Sequence, residues 1–308
     1  MRTRPRGIIA AAATPIAEDL TVDGSRLIVH LRRLLELGCD GINLLGTTGE
    51  ATSLPLDARI DTMCDVRNAG LPVERFLVGT GAAALEDAVA LTSAAHELGF
   101  GGALLLPPFY YKGIDTAGLV AYVAELVRRV GRPDLALYLY HFPALSGIPW
   151  TLETLTELKT RFPATIKGLK DSSGDLDYSR QAAQRIEDFD VFPSAEGALT
   201  APDASLFAGC ISATANITAP LASAGWHAHE PALRSAKIGA AARLRDAFTS
   251  LPLIAAVKET LAGLYSDVTW HRLLPPLRPL SVDESTKLSS ALAATEFESV
   301  QAIFAKLS

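Results

Sequence analysis

The chain has 308 residues, 49% hydrophobic and 20% charged, a globular composition with material for a sizeable core. Its net charge of −6 leaves no basic footprint for nucleic acid or an anionic membrane surface, and no stretch approaches the ~20 apolar residues needed to span a bilayer. Three cysteines without a spacing pattern, Cys39, Cys64 and Cys210, point to a reduced, cytoplasmic protein rather than a disulfide scaffold.

The start, MRTRPRGIIAAAATP, has the arginines and apolar stretch of a signal peptide. The apolar run is short, however, and Pro15, Glu18 and Asp19 follow at once, so it reads as a first strand over 6–14. Further apolar runs of strand length lie at 40–46, 75–80, 101–107, 135–142, 165–170, 189–194 and 209–214. Between them, segments such as 25–38, 84–99 and 116–131 repeat apolar residues at three- and four-residue steps, and each of these three ends in glycine. Continuous apolar strands suit a parallel sheet buried on both faces. Eight such βα units match an α/β (β/α)8 TIM barrel in number and length; an open doubly wound sheet has the same periodicity. Helical segments follow at roughly 229–248, 253–264 and 283–306, with a turn-rich stretch at 270–281. The expected division is a catalytic barrel over 1–225 and a C-terminal helical extension over 226–308.

In a barrel of this kind, chemistry gathers at the C-terminal ends of the strands. The second run ends in GTTGE, where Gly46, Thr47 and Thr48 offer hydroxyls and approachable amides to a carboxylate or phosphate; a plain βα turn with a threonine cap fits the spacing equally well. The fourth ends in PPFYYKG, with Tyr110 and Tyr111. The fifth, LYLYHFP, places Tyr138 and Tyr140 on one face, with Tyr140 nearer the C-terminal end, where a phenol can relay protons. The sixth, TIKGLKDSSGD, carries two lysines, and strand alternation sends Lys167 and Lys170 to opposite faces. Lys170 falls at the chemical end, while Lys167 lies deeper, its stem free to run outward between helices. A lysine with a pKa of about 10.4 is only about 0.1% neutral amine near neutral pH. A desolvated barrel mouth that lowered it to about 7–8 would make it a competent Schiff-base nucleophile, at a cost of about 4 kcal/mol.

With GTTGE, the paired tyrosines, Tyr140 and GLKD in this order, the sequence resembles the dihydrodipicolinate synthase/N-acetylneuraminate lyase family of class I, pyruvate-handling (β/α)8 enzymes, along most of its length. The resemblance implies that Lys170 forms the imine with pyruvate or another 2-oxo acid and that Tyr140 shuttles protons. Thr47 would bond Tyr140, and Thr48 with its amide would hold the carboxylate. Tyr111, or its neighbour Tyr110, would complete the relay, and Ile211 would wall the imine. It further implies an aldehyde as second substrate, no metal and no cofactor beyond the lysine imine, and a homotetramer or dimer.

Two departures bear on the substrate. The segment YHFPALSG carries Leu145 where dihydrodipicolinate synthases place an arginine for the second substrate's carboxylate. An apolar residue cannot supply that bidentate contact, which counts against 4-hydroxy-tetrahydrodipicolinate synthesis. PALSG is closer to the sialate lyases, yet FPSAEGAL keeps only Glu196 of their paired acids, and His141 replaces a usual asparagine. The expectation is aldol cleavage or dehydration of another 2-oxo acid, such as a 2-keto-3-deoxy sugar acid, with His141, Ser194, Glu196 and Asn216 as specificity candidates. Three rivals are weaker. His227, His229 and Glu230 sit in a loop-like stretch rather than a ligand pattern. GTGAAA at 79–84 is a truncated dinucleotide fingerprint. A non-catalytic 2-oxo-acid-binding barrel would not need the nucleophile.

Overall fold

The computed structural model describes residues 4–200 and 203–307. Each of the eight apolar runs contains a strand: β1 (Gly7–Ala11), β2 (Gly41–Leu44), β3 (Phe76–Gly79), β4 (Gly102–Leu105), β5 (Leu137–His141), β6 (Ile166–Asp171), β7 (Asp190–Pro193) and β8 (Gly209–Ser212). All pairs are parallel, and β1 bonds both β2 and β8, with Ile9 opposite Gly41 on one side and Ile211 on the other. The gap between β7 and β8 is bridged by the Ala208 N–H donating to the Val191 carbonyl at 3.0 Å. The sheet therefore curls into a nearly closed barrel and is not an open doubly wound sheet.

The strands are apolar throughout because both faces are covered. Outward residues such as Ile8, Ile42, Leu44, Phe76, Val78 and Leu169 join the core under the helices. Inward residues, among them Ile9, Leu77, Leu104, Tyr138, Tyr140, Phe192 and Ile211, fill the barrel itself. The covering helices are α1 (Gly24–Glu36), α2 (Leu56–Asn68), α3 (Leu85–Glu97), α4 (Thr116–Val130), the single turn α5 (Pro143–Ser146), α6 (Leu152–Arg161), α7 (Leu176–Arg185) and α8 (Ala215–Trp226). Their ends follow local chemistry: the Asp23 and Asp115 carboxylates cap α1 and α4, and Gly38, Gly99 and Gly131 take positive φ just beyond α1, α3 and α4.

The extension contains α9 (Pro231–Asp246), α10 (Leu253–Tyr265), α11 (Val282–Ala293) and α12 (Phe297–Phe304). One helix was expected over 283–306, and two are present. Thr295 explains the break: both its amide and its hydroxyl take the Leu292 carbonyl, a local bond that competes with helix continuation.

The alternation of β6 is also interrupted. Leu137 pairs with Ile166 but Tyr138 pairs with Gly168, so Lys167 falls in an irregularity of the strand. Its charged neighbours are Arg4, Lys159, Asp188 and Asp190, at the N-terminal end of the barrel, and burial together with Arg4 lowers its pKa. The two lysines are separated as expected, but Lys167 belongs to a charge cluster at the far rim rather than to a regular strand face.

Candidate active site

The end of β2 is shaped by two non-glycine residues in the left-handed region, Leu45 (φ 52°) and Glu50 (φ 57°), which bracket GTTG. Within the turn, the Gly49 N–H donates to the Gly46 carbonyl and the Glu50 N–H to that of Thr47. Among the described residues, the Thr47 and Thr48 amides have no such acceptor, leaving two adjacent donors suited to an anion. Gly46 sits behind them; a Cβ there would meet Asn43 Nδ2 at 2.4 Å, so its contribution is close backbone approach rather than cavity lining. The strained Glu50 is held by a fully buried pair: Oε1 accepts from Lys258 Nζ of α10 at 2.6 Å and Oε2 from the Leu274 N–H at 2.7 Å. Burial lowers the Lys258 pKa, opposed by the Glu50 charge.

Across the barrel, Tyr140 of β5 and Lys170 of β6 are register partners. Lys170 is only 3% exposed, and its Nζ lies 4.2 Å from the centre of the Tyr140 ring. A cation over that face is stabilised by about 0.5–2 kcal/mol, and an iminium formed on the same nitrogen keeps the benefit. Tyr140 is fixed from behind, its carbonyl accepting from Trp150 Nε1 at 3.2 Å. Its hydroxyl lies 3.4 Å from both Thr47 Oγ1 and Ser172 Oγ. Among the described residues, no carboxylate pairs with Lys170.

These groups open onto a cavity of about 500 Å³. It is lined by the polar or reactive groups of Thr47, Thr48, Tyr140, Lys170, Ser172, Ser194, Arg245 and Arg278 and by an apolar set that includes Ile211, Phe142, Leu145, Leu253, Ile254, Leu273, Pro276 and Leu277. Six residues singled out in the sequence thus meet at one place.

Five others, Tyr110, Tyr111, His141, Glu196 and Asn216, do not line it. Tyr111 and Tyr110 are 71% and 73% exposed and stand edge to face on the loop after β4. Lys112 anchors that loop by donating to the Phe109 and Ser146 carbonyls, and within this chain neither phenol reaches Tyr140. His141 points into the helix layer, stacked on Tyr178 at 4.4 Å; its Nδ1 accepts from the Trp150 N–H, and burial lowers its pKa. Glu196 is fully buried and accepts from Thr214 Oγ1 and Thr218 Oγ1. Asn216 bonds the Ala13 N–H, the Ala11 carbonyl and His30 Nε2, locking α8 to β1 and α1. Their expected roles rest on the family resemblance, which does not report which way each side chain turns in this chain.

Sequence reasoning missed Ser172, which directly follows β6, and also Arg245, Arg278 and the apolar residues of the extension, which long-range packing delivers. The Glu50–Lys258 pair did leave a signal: Lys258 is the lone charge in the apolar run LIAAVKETLAGL, apart from the acid beside it.

A buried lysine at a strand end, a phenol and a turn with two adjacent amide donors meet at the mouth of a (β/α)8 barrel, an arrangement suited to aldolase-type chemistry. The Dihydrodipicolinate synthetase family matches residues 4–295. An uncharacterized DapA-like lyase of Chloroflexus aurantiacus is 34% identical over 289 residues, covering 93% of this chain and 96% of the relative. A 4-hydroxy-tetrahydrodipicolinate synthase of Thermus thermophilus is 38% identical over 216 residues, 68% and 69% of the two chains. The crystal structure of dihydrodipicolinate synthase from Agrobacterium tumefaciens superposes with a TM-score of 0.85 at 27% identity, over 94% of this chain and 99% of that one. The chain belongs to the dihydrodipicolinate synthetase family and is a lyase of that family.

Proposed function

We propose that the protein joins or splits pyruvate and an aldehyde through an imine on Lys170, with no metal or other cofactor. The observation that carries this reading is the buried Lys170 amine, without a carboxylate partner among the described residues, beside Tyr140 in the lining of the cavity. The neutral amine attacks the keto carbon and passes one of its protons to the oxygen; Tyr140 gives its own proton to the resulting hydroxyl, and water leaves as the iminium forms. The Tyr140 phenolate then takes a proton from the methyl carbon, giving the enamine. That carbon attacks the aldehyde, Tyr140 returns its proton to the new alkoxide, and water hydrolyses the imine. Thr47 and Ser172 hold the phenol between these steps, and the Thr47 and Thr48 amides hold the pyruvate carboxylate.

The exposed Tyr110–Tyr111 pair supports assembly as a homotetramer or dimer, and the three free cysteines support a cytoplasmic setting. Among the described residues no helix is long and apolar enough to cross a membrane. Relatives named as synthases favour a second reading, condensation with aspartate semialdehyde, against which Leu145 stands. Borohydride should inactivate the protein only when pyruvate is present, and activity should survive a chelator. Protection from borohydride by pyruvate, or loss of activity with chelator, would overturn the reading.

A further inference from the structure

We propose that the aldehyde half of the cavity takes an uncharged aldehyde with an aromatic or branched apolar body, rather than a hydroxylated sugar fragment or a carboxylate-bearing one; this rests on the imine reading above. Beside the polar groups named above, the cavity is lined by Phe142, Leu145, Leu253, Ile254, Leu273 and Leu277. Leu145 is 63% exposed and Leu277 36% exposed at the rim, so apolar surface there awaits cover.

The polar groups that a sugar chain would need are already committed. Glu196 is occupied by Thr214 and Thr218, and Asn216 by β1 and His30, leaving Ser194 as the specificity candidate that faces the cavity. A substrate hydroxyl set against the leucine wall would lose water without gaining a partner.

Both arginines already have partners, Arg245 through Nη1 and Arg278 through both terminal nitrogens. Arg245 Nη1 donates to Ser212 Oγ and Thr214 Oγ1 and lies 3.7 Å from buried Glu196. Arg278 forks onto Glu284 through both terminal nitrogens, at 2.7 and 3.0 Å. The space, about 500 Å³, accommodates pyruvate and a ring-sized partner together.

The test compares kcat/KM for condensation of pyruvate with benzaldehyde, 3-methylbutanal, D-glyceraldehyde and aspartate semialdehyde on the full chain. A preference of at least tenfold for the first two is expected. Borohydride trapping with pyruvate alone is run on the same preparation: failure to trap defeats the imine reading itself. An adduct accompanied by equal or better use of either polar aldehyde, or by no turnover of the apolar ones, overturns the present proposal alone. Leu145→Arg, a change at an exposed side chain, should cut kcat/KM for the apolar aldehydes at least tenfold and raise that for the semialdehyde; unchanged selectivity also overturns it.

Discussion

Two lysines are buried near the mouth of this barrel, and they differ in what surrounds the ammonium. Lys258 is fully enclosed and donates to Glu50 at 2.6 Å, where the carboxylate also takes a backbone amide. Lys170 is nearly as buried, yet meets an aromatic face and an open cavity. Burying an ammonium is costly unless a partner offsets it. Lys258 has its partner inside the protein and acts as a clasp between the β2 turn and the extension. Among the described residues Lys170 has no anionic partner of that kind, which fits the imine role proposed for it. Enclosure alone therefore does not separate an ion-paired lysine from one that faces a cavity.

Substitutions divide the pair most sharply. Lys170→Ala should abolish pyruvate-dependent turnover while changing stability by less than about 1 kcal/mol, since no ion pair is broken. Lys258→Ala strands a buried carboxylate and should cost about 3–5 kcal/mol, read as a fall in Tm on the order of 10 °C; adding Glu50→Gln should recover part of it. If Lys258→Ala proved silent in thermal melts, the clasp assignment would fail.

A third buried base extends the comparison through pH. His30 sits between Tyr265 and Asn216 at 2.8 and 2.9 Å, and burial lowers its pKa to about 4. The unfolded histidine titrates near 6.5, so on acidification the unfolded chain takes up this proton first. The contribution is complete above pH ~6.5 and is lost as pH falls toward ~4, by about 3 kcal/mol. Urea unfolding across that range checks it: His30→Gln should lack this component of the slope, whatever its stability at neutral pH. An unchanged slope would show that His30 is not the titrating group.

The smallest effect concerns the phenol. Thr47→Val and Ser172→Ala each remove one 3.4 Å neighbour of the Tyr140 hydroxyl, and each should lower kcat about fivefold, equivalent to about 1 kcal/mol. A much larger loss in Ser172→Ala than in Thr47→Val would shift the relay toward the β6 loop.

The barrel was legible in the sequence because strands covered on both faces leave continuous apolar runs, as in GGALLLP and LALYLYHF. That Lys170, Tyr140, Thr47 and Thr48 share one cavity was legible because all four lie at strand ends. Regular alternation, however, is an incomplete account of Lys167, which lies in an irregularity of β6. Asn216, Glu196 and His141 looked like specificity residues but turn into the packing behind the site. Arg245, Arg278 and the leucine wall were hidden for a different reason: helical periodicity says nothing about where an extension folds back over the barrel.

The central claim concerns which lysine meets the substrate. Reduction with borohydride in the presence of pyruvate, followed by peptide mass spectrometry, should place the adduct on the peptide containing Lys170, with Lys167 and Lys258 unlabelled and the signal lost in Lys170→Ala. An adduct on Lys167 or Lys258, or none on any lysine, would contradict it.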